Sequence, residues 1–147
     1  MTETTSEINI AAAPATIYRF ASATERWPEL LPHYRSVRIL AHDGPSRTLA
    51  MAARRGIIPI SWVAQQTDDP QTPSIRFVHL AGPARGMDVV WRFLPESGGT
   101  RVTIEHRLQF SFPLASDWLG EHVVAGFFID YVARRTLACM KALSEAA

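Results

Sequence analysis

The sequence predicts an α+β domain in which one long C-terminal helix packs on a curved antiparallel sheet of seven strands. From about Leu114 to Glu145, apolar side chains recur at three- and four-residue steps, the spacing of one helix face. Before that stretch, short strand patterns alternate with turn signals at the regular intervals of a meander. Since a single helix rarely fills the concave side of such a sheet, we expect space there for an apolar ligand.

The elements follow in a simple order along the chain. An alternating pattern predicts an opening strand over residues 5–10, and Pro14 then stands where a first short helix begins. A second short helix is predicted from Thr24 to Leu31, with Thr24 as its cap and Pro32 ending it. The six later strands are predicted at residues 34–42, 47–54, 57–67, 74–80, 87–94 and 100–112.

Composition narrows the class of protein. A chain of 147 residues that is 47% hydrophobic has the size and the apolar content of one domain, here residues 1–147. Its net charge of +1, with no basic run, indicates neither nucleic acid nor an anionic membrane as the main partner. The single cysteine, Cys139, excludes a disulfide framework, and the polar N-terminus does not resemble a signal peptide, so we expect a cytoplasmic protein.

The parity of side chains along the strands predicts an aromatic concave face. Alternate residues of a strand share one side, which places apolar and aromatic side chains together. Four isolated polar groups fall on the same face. The predicted ligand-binding residues are Trp27, Trp62, Phe77, Met87 and Trp91, with Phe128 and Val132 from the helix; the polar groups are Tyr34, Gln66, His79 and His106.

Chemistry at this face would depend on the four polar groups. The sequence contains no nucleophile elbow, phosphate loop or HExxH helix, and its five histidines are scattered singly, so we expect neither a metal nor a cofactor. A buried imidazole beside a ligand can exchange a proton, which makes His106 and His79 candidate acid/base groups. Gln66 and Tyr34 could orient a carbonyl. The alternative for His106 and His79 is a core histidine that is hydrogen-bonded to the backbone.

Two segments resemble a known superfamily. INIAAAPATIYRF at residues 8–20 and ERWPELLPHYRSVRIL at residues 25–40 are similar to the opening of the START-like, or SRPBCC, superfamily. This superfamily has the helix-grip fold and includes polyketide aromatase/cyclases and bacterial ubiquinone-binding proteins. The likeness is greatest to the aromatase/cyclases, which fold a poly-β-ketone and promote aldol ring closure and dehydration. Trp27, Tyr34, Trp62 and Trp91 match aromatic positions of that family.

One departure from the family pattern leaves two functions open. Four residues after the Trp62 position the family usually has an arginine that polarises the ketide, whereas this chain has Gln66. An amide cannot stabilise an enolate as a guanidinium does. Either the chemistry differs, or another group such as Arg55, Arg76 or His106 substitutes, or there is no catalysis. The resemblance implies either a polyketide cyclase, with an acyl carrier protein as a further partner, or a non-catalytic carrier of a quinone or another flat hydrophobic molecule.

Overall fold

The computed structural model describes residues 2–108 and 124–147. Seven strands form one antiparallel sheet in the order β1-β7-β6-β5-β4-β3-β2, so the opening strand pairs with the last one. The predicted meander of six strands and the seven-stranded antiparallel sheet of the helix-grip fold are confirmed, and the structure adds the pairing of β1 with β7. The strands are β1 (Thr2–Ile10), β2 (Tyr34–Asp43), β3 (Ser46–Arg55), β4 (Ile58–Asp69), β5 (Ser74–Ala81), β6 (Asp88–Glu96) and β7 (Gly99–Leu108).

Two short helical segments follow β1, as predicted. Helix α1 (Pro14–Ser22) begins at its proline, whose fixed backbone angle suits the first turn. The second segment is a 3₁₀ turn, Thr24–Arg26, that continues into α2 (Trp27–Leu30). The prediction that Thr24 caps this segment is wrong, because its hydroxyl makes no cap and bonds instead to a side chain of β4.

The C-terminal helix differs from the uninterrupted α-helix that the periodicity predicts. A π-helical turn, Val124–Ile129, precedes α3 (Asp130–Ala146). Gly126 lies in this turn, and glycine is a poor α-helix former, by up to about 1 kcal/mol relative to alanine. The predicted helical residues 114–123, including Trp118, and the predicted strand residues 109–112 lie outside the described part of the chain.

The core lies between the concave face of the sheet and α3. Val89, Trp91 and Phe93 of β6 are buried while Arg92 is exposed, which confirms the predicted parity of that strand. From α3, Ala133, Leu137 and Met140 complete the core. Among the described residues, no helix combines the length and the apolar character that crossing a bilayer requires.

Candidate functional site

A cavity of about 80 Å³ remains between the sheet and the C-terminal helix. Its described wall comes from α2, from β2 to β7, from the β5–β6 turn and from one side of the helix. Ten of the eleven residues assigned to the site from the sequence lie in this wall: Trp27, Tyr34, Trp62, Phe77, His79, Met87, Trp91, His106, Phe128 and Val132. The eleventh, Gln66, does not line it.

Trp27 is the centre of the aromatic part of the wall. Its ring centroid lies 5.0 Å from that of Tyr34, 5.9 Å from that of Trp91 and 6.0 Å from that of Phe77. The indole nitrogen donates to the carbonyl of Phe20, at 3.3 Å, which restricts the orientation of the ring. Tilted and edge-to-face contacts of this kind are favourable geometries for packed aromatic rings.

Two histidines contribute titratable groups to the cavity wall. His79 on β5 stacks on Trp62 with centroids 5.8 Å apart and an angle of 10° between the planes. His106 on β7 pairs with Val89 of β6, so β6 lies between β7 and β5. The backbones of β5 and β7 are therefore about 10 Å apart. Burial lowers the pKa of each to about 4, and the charge of His79 lowers that of His106 further. Both imidazoles are therefore neutral near pH 7, and their buried Nδ1 atoms have no partner among the described residues.

A third histidine lies behind the cavity and was not assigned to the site from the sequence. His33 is buried, and its Nε2 is 2.8 Å from the hydroxyl of Thr136, which lines the cavity. Burial, followed by the charge of Arg135, lowers the pKa of His33 to about 4. Burial also raises the pKa of Tyr34, an effect opposed by its hydrogen bond with Thr136. Thr136 thus connects the buried imidazole of His33 to the cavity wall.

The sequence does contain a signal for the pair formed by His33 and Thr136. Thr136 falls on the apolar helix face that the periodicity identifies, and His33 directly precedes Tyr34. A polar residue on an apolar helix face needs a hydrogen-bond partner in the interior, and a histidine beside Tyr34 can provide one. Met51 and Ile104, which complete the wall from β3 and β7, share the parity of assigned residues.

Gln66 is inside the sheet but is not available to a ligand. Its amide oxygen accepts from Thr24 at 2.5 Å, and its amide nitrogen donates to the carbonyl of Ser22 at 3.0 Å and to Asp68 at 2.7 Å. The residue is completely buried beneath the segment that joins α1 to α2. The prediction that Gln66 orients a carbonyl in the cavity therefore disagrees with the structure, because its polar atoms are all used to anchor that segment.

Neither arginine considered as a substitute lies in the cavity wall. Arg76 points away from it, since its guanidinium is exposed and makes two hydrogen bonds to Asp88, at 2.8 and 2.9 Å. Arg55 lies at the end of β3 and contacts the C-terminal helix, where its Nη1 donates to the carbonyl of Phe127 at 2.8 Å. The described residues also include no cluster of three or more side chains that could hold a metal ion.

Comparison with known proteins agrees with this architecture. The family model described as polyketide cyclase/dehydrase and lipid transport matches residues 10–141. A "Putative polyketide cyclase" of Streptomyces cyaneus is 31% identical over 102 residues, which cover 67% of each chain. The chain therefore belongs to the polyketide cyclase/dehydrase and lipid transport family.

Solved structures show the same fold at lower sequence identity. The ZhuI aromatase/cyclase from Streptomyces sp. R1128 superposes with a TM-score of 0.82 at 15% identity, over 98% of this chain and 93% of the other. A START superfamily protein from Mycobacterium smegmatis gives a TM-score of 0.73 at 16% identity, over 96% and 98% of the two chains. At such identities these likenesses concern the fold alone.

Proposed function

We propose that this member of the family is a cytoplasmic polyketide cyclase or aromatase. It would fold a poly-β-ketone in the cavity and promote aldol ring closure followed by loss of water. The observation that carries the proposal is that one cavity wall combines aromatic side chains with the neutral imidazoles of His79 and His106. An acyl carrier protein would deliver the chain.

The residues support a mechanism based on confinement and proton exchange. In the aldol step a methylene between two carbonyls loses a proton, its carbon bonds to a distant carbonyl carbon, and that carbonyl oxygen gains a proton. A neutral imidazole has one N–H donor and one acceptor nitrogen. His106 can therefore accept the methylene proton and release it to the new alkoxide oxygen, while the N–H of His79 donates a hydrogen bond to that oxygen and keeps its proton. The low pKa of these histidines disfavours a stable imidazolium, so a proton that an imidazole accepts must be transferred onward quickly. Holding the reacting carbons close supplies much of the acceleration.

The cavity must widen to admit a chain that can form several rings. Its volume of about 80 Å³ is well below the roughly 300 Å³ at which small-molecule sites usually begin. Met51 and Met87 contribute flexible side chains to the wall, and methionine adapts its shape at low cost. We therefore expect ligand binding to rearrange these two side chains first.

A carrier of a quinone or another flat hydrophobic molecule is the second candidate. One observation favours it: the described cavity wall contains no arginine or lysine that would stabilise an enolate. Binding such a ligand requires the aromatic wall alone.

Product analysis with a reconstituted polyketide synthase separates the two functions. As a cyclase, the protein changes the product mixture relative to the spontaneous one. His106→Ala then lowers the cyclisation rate by about a hundredfold with little change in ligand affinity, because a proton shuttle acts in the transition state. Trp91→Ala instead weakens binding and alters which rings form, since it removes wall area.

His42→Ala, at an exposed residue of β2, is the matched control and should leave both the rate and the products unchanged. An unchanged product mixture with wild-type protein, together with tight quinone binding, would make the carrier the correct function. Redirected products with full activity in His106→Ala would remove His106 from the mechanism and retain the cyclase.

A further inference from the structure

A cleft of about 420 Å³ lies on the surface beside the cavity and is rich in arginine. Arg55, Arg134 and Arg135 line it, together with Asp130 and Tyr131. The carboxylate of Asp130 pairs with Arg134 at 3.1 Å, so three guanidinium groups face one acidic group and the cleft has a net positive charge. Among the described residues, neither Arg55 nor Arg135 forms an ion pair.

The guanidinium of Arg55 is held in place by groups that leave its charge uncompensated. Its Cζ lies 4.6 Å from the ring centroid of Phe127 and 5.0 Å from that of Tyr131. One hydrogen bond, to the carbonyl of Phe127, uses one of its five N–H donors. Arg55 is therefore oriented before any ligand arrives, and this lowers the entropic cost of binding an oxyanion.

The cleft borders the cavity on both of its sides. On the helix, Tyr131 and Arg135 each follow a cavity residue, Phe128 and Val132, by three positions, and residues with that spacing are neighbours on a helix surface.

On the sheet, Arg55 lies two residues beyond the buried Ala53 and four beyond Met51, which lines the cavity. Alternate residues of a strand share one face, so Met51, Ala53 and Arg55 lie on the cavity-facing side of β3, and Arg55 is the last of them. The positive cleft is thus at the rim of the apolar cavity.

We propose that Arg55, Arg134 and Arg135 bind the anionic head group of an amphipathic ligand whose apolar part enters the cavity. The inference rests on the proposed use of the cavity as a ligand site and specifies the class of ligand that it takes. The head group is an oxyanion, either a phosphate ester or a carboxylate, because planar guanidinium groups match the geometry of both. A neutral quinone would leave the cleft unused.

Tryptophan fluorescence provides the test, since Trp27, Trp62 and Trp91 line the cavity. Titrations with octyl phosphate and with octanol compare equal chains that differ in charge. We expect octyl phosphate to bind about tenfold more tightly at low salt, with the difference shrinking at high salt. Arg55→Gln should lower the affinity for octyl phosphate by about tenfold and leave that for octanol unchanged. Arg135→Gln should act in the same direction, more weakly because this residue is exposed.

Arg92→Gln is the matched control, since Arg92 pairs with Glu105 on the outer face of the sheet and should affect neither ligand. Titrations with octanoate and with octanoyl-pantetheine 4′-phosphate distinguish the sources of the oxyanion. Preference for octanoate identifies a free acid, and preference for the pantetheine phosphate identifies the arm of a carrier protein.

Equal affinities for octyl phosphate and octanol in the wild-type protein would overturn the inference and leave the proposed function intact. Equal losses for both ligands in Arg55→Gln would also overturn it, because Arg55 would then support the cavity wall only. Absence of binding by every probe would contradict the ligand-binding function itself, together with the inference.

Discussion

At the scale of single residues, the strand face on which a side chain lies does not determine whether that side chain lines the cavity. Gln66 and Trp62 lie on the same side of β4, and parity alone treats them as equivalent. The structure separates them, because Gln66 lies under the α1–α2 segment whereas Trp62 reaches the cavity. Parity predicts that a side chain faces inward, and only the packing of other elements decides what it meets there.

The substitution Gln66→Met tests the anchoring role. Methionine has a similar size, but it removes the acceptor of the Thr24 hydroxyl and two further hydrogen bonds, to the carbonyl of Ser22 and to Asp68, which both keep Arg47 as a partner. Since a hydrogen bond contributes about 1 kcal/mol on average, we expect the free energy of unfolding to fall by about 3 kcal/mol. Ligand affinity of the protein that remains folded should stay the same. Urea unfolding measures the effect, and Gln65→Met, on the exposed face of the same strand, should change stability by less than about 0.5 kcal/mol.

At the scale of elements, the β5–β6 turn positions the stack of Trp62 on His79. Gly82 in this turn has φ +112°, and a Cβ atom there would lie 2.9 Å from the carbonyl oxygen of Ser61 and 2.9 Å from Cβ of Trp62. The pairing of β4 with β5 shifts register between Val63 and Ala64, just beyond this contact. The turn therefore closes directly onto the backbone that carries Trp62.

Gly82→Ala and Gly86→Ala form a matched pair for testing this contact. Both glycines have positive φ, so both substitutions should cost about 1–2 kcal/mol of backbone strain. Only Gly82 has neighbours within 4 Å of the added methyl group, and overpacking should add about 1–3 kcal/mol. We also expect weaker ligand binding in Gly82→Ala alone, measured by tryptophan fluorescence. Equal stability and affinity in the two variants would show that the contact has no role in positioning Trp62.

Elements differ in how well the sequence predicts them. The seven strands follow from alternation and turn residues, which are local signals, and β6 has the predicted parity throughout. The π-helical turn at Val124–Ile129 was missed because a one-residue insertion leaves the apolar periodicity almost unchanged. The cleft of Arg55 was missed because it joins residues some 80 positions apart, a relation that depends on how the helix lies across the sheet.

At the scale of the whole molecule, folding places three histidines where an added proton is unfavourable. His33, His79 and His106 each have a pKa lowered from 6.5 to about 4, with burial as the largest cause. The first supports Thr136 from behind the cavity and the other two line it. The neutral interior that suits an apolar ligand therefore makes the stability of the whole domain depend on pH.

The sign of this dependence follows from proton linkage. Between about pH 6.5 and pH 4 the unfolded chain binds protons that the folded chain does not, so acid favours unfolding and stability rises with pH. The contribution of the three neutral histidines to the free energy of unfolding is fully present above pH 6.5 and is lost as the pH falls toward 4. Near pH 5 unfolding should take up about three protons at these histidines, a slope of about 4 kcal/mol per pH unit.

Urea unfolding between pH 4.5 and 7.5 measures that slope. His33→Gln retains a hydrogen-bonding partner for Thr136 and removes one of the three titrating groups, so the slope of the free energy of unfolding against pH should fall by about a third. His42→Gln replaces a histidine that is exposed in the folded protein and should leave the slope unchanged. A slope that is flat between pH 4.5 and 6.5 in the wild-type protein would mean that the three imidazoles accept protons in the folded state. In that case both the neutral and the charged form of His106 would be populated near neutral pH, and the proposed mechanism would have to include the charged form.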